Sequence, residues 1–172
     1  MEARKITDRV FWMGAVDWDR RLFDSLIPLP DGTSYNAYLV QGSEKTALLD
    51  TADPHLMHLL LAQLDRVPQV DYLISQHAEQ DHSGTLPKLL ERYPQAQVVA
   101  TPKCKGMLMD LLLLPEDRFI TVEDGATLSL GDKALEFVHT PWVHWPETMS
   151  TYLREDKILF SCDFFGSHLA TS

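Results

Sequence analysis

Residues 75–84 read S-Q-H-A-E-Q-D-H-S-G and bring four side chains that can bind a metal within six positions. They are two imidazoles and two carboxylates: His77, Glu79, Asp81 and His82. The apolar run just before them, residues 70–75, predicts a buried strand, and residues 83–93 predict a short helix. A loop at the end of a core strand is a common position for functional groups, because the strand holds the loop rigidly.

The spacing of these side chains indicates how they could share metal ions. Side chains alternate along extended backbone, so His77, Glu79 and Asp81 would point the same way if the loop stays extended. His82 would then come from the turn into the helix. The loop is therefore predicted to supply ligands to two neighbouring metal positions.

Size and charge set limits on the remaining functions. A chain of 172 residues suggests one domain with a sizeable core. Its formal net charge of −10 argues against nucleic acid or an anionic membrane as partner. No apolar run is long enough to span a bilayer, and the first residues lack the pattern of a signal peptide. The two cysteines, Cys104 and Cys162, imply no disulfide framework, so we predict a cytoplasmic protein.

Patterning along the chain predicts a mixed fold. Predicted strands cover 6–16, 34–41, 45–50, 70–75, 97–100, 118–122, 126–130, 133–140, 148–154 and 157–161. Predicted helices cover 54–66, about 85–93 and 102–113, and the histidines of the first, His55 and His58, are expected at the surface. Residues 17–29 predict a long loop that covers another part of the molecule. This order favours an α/β (α+β) domain whose sheets are covered by helices.

Two later segments could complete the metal site. His144 lies between two tryptophans and two prolines just after a predicted strand, and Asp163 follows the apolar strand 157–161. Taken alone, an exposed or core histidine and a solvated turn aspartate are the simpler interpretations. Together with the first loop, they would make three imidazoles and three carboxylates without a thiolate. Such a set suits iron or manganese, and zinc less exclusively. If Asp163 bridges, it would hold two ions about 3.5–4 Å apart.

The motifs on which these predictions rest resemble one known family. The H-x-E-x-D-H loop, the later H-W-P-E segment from His144 and the S-C-D-F-F-G segment around Asp163 are similar to the metallo-β-lactamase-like domain of flavodiiron proteins. The segments D-W-D-R at 17–20 and G-T-S-Y-N at 32–36 extend the resemblance. Related hydrolases carry H-x-H-x-D-H, so Glu79 is the residue that separates this chain from them.

The resemblance implies a role for each site residue. His77, Glu79 and His144 would bind one iron, Asp81 and His82 would bind the other, and Asp163 would bridge them. Asp50 would support the ligands from the second shell. We further expect Trp145 and Phe164 to wall a substrate pocket for a small gas.

The same resemblance implies a fold and partners. The fold is expected to be an αββα sandwich. Because the family's last histidine ligand comes several tens of residues after the bridging aspartate, residues 1–172 are interpreted as the N-terminal two-thirds of this domain, truncated at the C-terminus. FMN is expected only in a C-terminal flavodoxin-like domain absent from this sequence. A rubredoxin-like or other donor would supply electrons, and the full-length form would be a head-to-tail homodimer.

Three functions are compatible with these residues. The first is an oxidoreductase with two irons that reduces O₂ to water or NO to N₂O with electrons from FMN. The second is a diiron oxygen sensor without flavin. The third is a zinc hydrolase in which metal-bound hydroxide attacks an ester or thioester, against which Glu79 argues.

Overall fold

The computed structural model describes residues 3–171. The strands are β1 (Arg4–Thr7), β2 (Val10–Trp12), β3 (Ala15–Asp17), β4 (Leu22–Phe23), β5 (Ile27–Pro28), β6 (Thr33–Tyr35), β7 (Tyr38–Gln41), β8 (Thr46–Leu49), β9 (Tyr72–Ile74), β10 (Gln97–Ala100), β11 (Phe119–Thr121), β12 (Thr127–Ser129), β13 (Ala134–His139), β14 (Met149–Leu153) and β15 (Ile158–Phe160). The helices are α1 (Met57–Gln63), α2 (Gln80–Ser83), α3 (Leu86–Arg92) and α4 (Pro102–Leu112).

Two sheets form the centre of the molecule. A seven-stranded sheet has the order β1-β2-β7-β8-β9-β10-β11, and a four-stranded antiparallel sheet has the order β12-β13-β14-β15. Strands β8 to β11 run parallel to one another. Parallel neighbours need a crossover connection, and helices α1, α3 and α4 provide it.

Alternating side chains along the central strands build a core on each face of the larger sheet. In β8, Leu48 packs in the cluster shared with the helices, whereas Ala47 and Leu49 pack in the cluster between the sheets. Strand β10 repeats this pattern with Val98 on the helical side and Val99 between the sheets. Side chains of successive strand residues point to opposite faces, so a central strand with apolar residues throughout serves both cores.

The predicted sandwich is confirmed as a layer of helices followed by two sheets. Helices α1, α3 and α4 contribute to the cluster on the outer side of the seven-stranded sheet. Between β12 and residue 171 the chain contains no helix. Within residues 3–171, the outer face of the four-stranded sheet is therefore not covered by a helix.

Several predicted elements are correct, and others are divided. The hairpins β7–β8 and β14–β15 and helix α4 lie where they were predicted. The predicted strand 6–16 is three separate strands, β1 to β3, because β3 leaves the large sheet to pair with β6. The predicted loop 17–29 contains the small hairpin β4–β5. Asp24 and Ser25 in its turn both have positive φ, as a type I′ turn requires.

The strand order brings the ligand-bearing segments to one edge of the sandwich. Asp50 follows the end of β8, and the loop that begins at Ser75 follows the end of the parallel strand β9. Strands β13 and β15 of the other sheet lead into the segments with His144 and Asp163. In sheets with parallel strands, ligands commonly bind at the carboxyl ends of the strands, and this edge is such a position.

No helix of residues 3–171 is long and apolar enough to cross a bilayer.

His55 is exposed, as predicted for a surface histidine, and its ring also connects two carboxylates. Its Nδ1 lies 2.6 Å from Asp53 Oδ1, and its Nε2 lies 2.8 Å from Asp17 Oδ2. Both ring nitrogens can donate at once only in the imidazolium form. Burial lowers the pKa of His55, but the hydrogen bonds and charges of Asp53 and Asp17 outweigh it and raise the pKa above 6.5. The ring thereby joins the end of β3 to the beginning of the first helix.

This contact predicts how stability depends on pH. A pKa raised by folding contributes stability that is fully present below the unfolded value and is lost as pH rises through the folded value. We expect urea unfolding to show a loss of stability as pH rises above about 6.5, and this loss should be smaller in His55→Gln. The matched control is His58→Gln, in the same helical segment and exposed, which should keep the pH dependence of the unchanged protein. Identical pH profiles for all three proteins would contradict this assignment.

Candidate metal centre

The loop after β9 is held by hydrogen bonds along its whole length. Ser75 Oγ donates to the carbonyl of His77 at 2.9 Å, and Ser83 Oγ donates to the carbonyl of Ala78 at 2.8 Å. The carbonyl of His82 accepts from both the backbone N–H and the hydroxyl of Thr51, at 2.9 and 2.8 Å. Residues 75–79 and 81–83 are buried, and these bonds give the carbonyls of His77, Ala78 and His82 partners within the protein.

The loop is not extended throughout, which corrects the expectation that His77, Glu79 and Asp81 point the same way. Gln80–Ser83 form the one-turn helix α2, with the backbone N–H groups of His82 and Ser83 donating to the carbonyl of Glu79. The turn carries Asp81 away from His77 and Glu79 and towards His82. The six predicted ligands consequently divide into two groups.

The first ligand group consists of His77, Glu79, His144 and Asp163. One candidate ligand atom from each lies within 4.8 Å of all the others. Glu79 Oε2 is 2.8 Å from His144 Nε2 and 3.3 Å from His77 Nε2. Two ligands of one ion, each about 2.1 Å from it, lie roughly 3.0–3.4 Å apart at angles of 90–109°. The spacing of this group therefore suits a shared metal ion.

The second ligand group consists of Asp81, His82 and Asp163. His82 Nε2 lies 3.1 Å from Asp163 Oδ1 and 3.5 Å from Asp81 Oδ2. The other oxygen of Asp163, Oδ2, faces the first group, 3.4 Å from His144 Nε2 and 3.8 Å from His77 Nε2. Asp163 thus directs one oxygen to each group, which is the geometry that a bridging carboxylate needs.

The pKa values of the carboxylates reflect how close they lie to one another and to the imidazoles. Burial raises the pKa of Asp81, the charge of His82 opposes this, and the negative charges of Glu79 and Asp163 add to it, so that the pKa reaches about 6. For Asp163, burial acts in the same direction, but the hydrogen bond and charge of His82 outweigh it and lower the pKa. The imidazoles that face Glu79 likewise lower its pKa despite its burial.

Asp81 also provides a direct test of whether these residues fit a metal ion. Its Oδ1 is buried and has no hydrogen-bond partner among the described residues. An unpaired buried carboxylate oxygen is expensive unless a cation or another donor satisfies it. Carboxylate oxygens and imidazole nitrogens are ligands for iron, manganese and zinc. The first group therefore fits one metal ion, and Asp81, His82 and the shared Asp163 offer ligands for a second.

Asp50, which was predicted to support the ligands, lies near Nδ1 of His82. Its carboxylate accepts from the backbone N–H and the side-chain amide of Gln76 at 2.9 and 2.8 Å, and its Oδ2 is 3.8 Å from His82 Nδ1. Burial raises the pKa of Asp50, but the contact with His82 outweighs that effect and lowers it. Asp50 can thus hold the orientation of the His82 ring from the side opposite Nε2.

Sequence reasoning missed two residues of this region. Cys162 Sγ lies 3.2 Å from His77 Nδ1 and 3.8 Å from His82 Nδ1, so one sulfur contacts imidazoles of both ligand groups. Burial raises the pKa of this thiol well above its ordinary value. Glu147 accepts a hydrogen bond from the backbone N–H of Ala78, in the loop that carries His77 and Glu79. Cys162 directly precedes Asp163, and this position next to a predicted ligand could have identified it from the sequence. Nothing in the spacing pointed to Glu147.

A cavity of about 280 Å³ opens onto both ligand groups. Trp145 lines it, as do Phe23, Asp24 and Ile27 of the predicted covering loop. Phe164 is not among its lining residues and instead stacks on Phe165 with ring centroids 4.1 Å apart. The β4–β5 hairpin therefore lies beside the ligand groups.

Comparison with known proteins places this geometry in a family. Residues 33–172 match the family described as ODP family beta lactamase. The coenzyme F420H(2) oxidase of Methanothermobacter marburgensis is 44% identical over 97% of this chain and 43% of its own length. The nitric oxide reductase of Moorella thermoacetica is 38% identical over 97% of this chain and 43% of its own length.

Solved structures give the same result. The rubredoxin oxygen:oxidoreductase from the anaerobe Desulfovibrio gigas superposes with a TM-score of 0.94 at 36% identity, covering 99% of this chain and 43% of that one. The flavodiiron protein from Giardia intestinalis superposes with a TM-score of 0.93 at 33% identity, covering 100% of this chain and 42% of that one. The chain thus spans less than half the length of these four relatives. By the family match and this shared fold, the chain belongs to the flavodiiron proteins, through their metallo-β-lactamase-like domain.

Proposed function

We propose that this chain is the diiron domain of an oxidoreductase that reduces O₂ to water, NO to N₂O, or both, with electrons from FMN. The observation that carries the proposal is the orientation of Asp163. Its two oxygens lie 3.1 Å from His82 Nε2 and 3.4 Å from His144 Nε2, in different ligand groups. A side chain shared in this way supports a site for two ions.

The proposed ligand set follows from the two groups. His77, Glu79 and His144 would hold the first iron, Asp81 and His82 would hold the second, and Asp163 would be shared between them. A ferrous pair held there would supply two electrons, enough to reduce two molecules of NO to N₂O and water. Reduction of O₂ to water takes four electrons, and reduced FMN would supply the other two. The three carboxylates surround the pair with negative charge, which favours the higher oxidation state by Coulomb attraction.

Neighbouring side chains orient the ligands and limit access to them. Asp50 holds the His82 ring, and Cys162 Sγ is in contact with Nδ1 of His77. Both contacts are made at Nδ1 of the ring, so they leave Nε2 as the ligand atom. Trp145 and the β4–β5 hairpin narrow the cavity and would keep bulk water from the pair.

The electron donors are proposed by analogy with the relatives. One relative is named a rubredoxin oxygen:oxidoreductase and another a coenzyme F420H(2) oxidase, so different reductants serve related proteins. We propose that FMN in a flavodoxin-like domain passes electrons to the iron pair of the facing subunit in a head-to-tail homodimer. A rubredoxin-like protein or another soluble carrier would reduce the flavin. The names of the relatives favour neither a flavin-free sensor nor a zinc hydrolase.

Iron content tests the proposal. Protein purified without oxygen and loaded with Fe²⁺ should bind two irons per chain, and the pair should give the spectroscopic signature of magnetic coupling. Asp163→Ala removes the shared ligand, so we expect at most one iron per chain and no coupling. Two coupled irons in Asp163→Ala, or zinc alone in the unchanged protein, would contradict the proposal.

Substitutions within each group test the division of the ligands. Glu79→Ala and His144→Ala should weaken binding of the first Fe²⁺ by at least about 100-fold, since losing a second-shell partner already costs 10–100-fold. Asp81→Ala should weaken binding of the second Fe²⁺ and leave binding of the first largely unchanged. Anaerobic Fe²⁺ titrations followed by absorption would measure both steps.

The control for these titrations is His139→Ala. His139 lies outside both ligand groups, and its Nε2 is 3.1 Å from the carbonyl oxygen of Val122. It should bind both ions as the unchanged protein does. If Asp81→Ala and Glu79→Ala abolish the same binding step, the division into two groups is wrong.

A further inference from the structure

Glu147 is a buried carboxylate that contacts the metal loop without facing either ligand group. Its side chain is 3% exposed, and its Oε1 accepts a hydrogen bond from the backbone N–H of Ala78 at 3.0 Å. Ala78 is fully buried and lies between His77 and Glu79. One side-chain hydrogen bond therefore holds the peptide that connects two proposed ligands of the first iron.

This hydrogen bond is the feature that gives Glu147 a role. The other oxygen, Oε2, is buried and has no partner among residues 3–171. A buried carboxylate with one unpaired oxygen makes the folded protein less stable than an apolar side chain of similar volume would. Its presence is therefore explained by the one hydrogen bond that it does accept. Stability alone does not favour an acid here.

The surrounding backbone connects the same two segments. The N–H of Met149 donates to the carbonyl of Gln76 at 2.8 Å, and Thr101 Oγ1 donates to the carbonyl of Glu147 at 3.3 Å. Trp145 N–H donates to Thr148 Oγ1 at 2.9 Å, which closes the turn after His144. The segment that carries His144 is thus joined to the loop that carries His77 and Glu79 at Gln76 as well as at Ala78.

We propose that Glu147 is a positioning residue, which sets the distance between the two backbone segments that supply the first ligand group. It acts through the Ala78 amide and contributes an acceptor rather than a ligand atom. This role rests on the proposed function, because it is exercised when iron binds. The hydrogen bond itself can be measured without any metal.

Two substitutions separate the acceptor from the volume of the side chain. Glu147→Met keeps a similar volume and removes the strong acceptor, so packing is largely retained. Glu147→Gln keeps an oxygen that can accept from Ala78. In metal-free protein we expect Glu147→Met to speed amide hydrogen exchange at Ala78 by about 3- to 10-fold, the equivalent of one lost hydrogen bond. Glu147→Gln should leave this exchange rate near that of the unchanged protein.

Anaerobic Fe²⁺ titration then measures the consequence for the site. Glu147→Met should lower the affinity for the first Fe²⁺ by about 10–100-fold, the usual effect of losing a residue that orients a ligand. Glu147→Gln should restore the affinity. The matched control is Asp71→Leu, which removes another buried carboxylate that accepts a backbone N–H, from Thr46 at 2.9 Å, near the opposite end of β9. It should lower stability without changing Fe²⁺ affinity.

Each outcome decides between the possibilities. Unchanged exchange at Ala78 or unchanged Fe²⁺ affinity in Glu147→Met overturns the positioning role. Equal losses in Glu147→Gln and Glu147→Met overturn it as well, because charge rather than the acceptor would then matter. If the unchanged protein binds no iron, the proposed function fails, and exchange at Ala78 still reports separately whether Glu147 holds the loop.

Discussion

Repulsion among closely placed carboxylates is the constraint on which the ligand-bearing edge of the sandwich depends. Glu79 and Asp81 are each less than 10% exposed, and Asp163 directs its two oxygens to the neighbouring His82 and His144. Burial and its neighbours' charges raise the pKa of Asp81 to about 6. The charge of His82 opposes part of this repulsion, but Asp81 Oδ1 still has no partner among the described residues. A pair of cations would satisfy both the charge and the unpaired oxygen, so the most crowded part of the structure is also the part suited to metal binding.

The fold makes such crowding possible because each sheet supplies part of the site. The seven-stranded sheet positions His77, Glu79, Asp81 and His82 after the parallel strand β9, whereas the four-stranded sheet positions His144 and Asp163 after β13 and β15. The core between the sheets, which includes the fully buried Phe137, sets the separation of these two sets of ligands. A change that alters how the sheets pack should therefore affect metal binding even when it lies far from the ligands.

Much of the site could be predicted from sequence because its ligands are local or follow recognisable strands. The H-x-E-x-D-H loop places four ligands within six residues, and the strand before it is apolar on both faces. Contacts between distant segments could not be predicted in this way. Glu147 lies 69 residues from its partner Ala78, and His55 lies 38 residues from Asp17. The division of 6–16 into β1, β2 and β3 was also missed, since it depends on pairing between β3 and β6 rather than on local pattern.

The central claim is that Asp163 connects two metal ions. Anomalous X-ray diffraction at the iron edge, from crystals grown without oxygen in the presence of Fe²⁺, tests it most directly. The proposed ligand set predicts two peaks, one between His77 and His144 and the other between Asp81 and His82, with the Asp163 carboxylate between them. A single peak with Asp163 on one side only, or no peak near the carboxylates, would contradict a site for two ions.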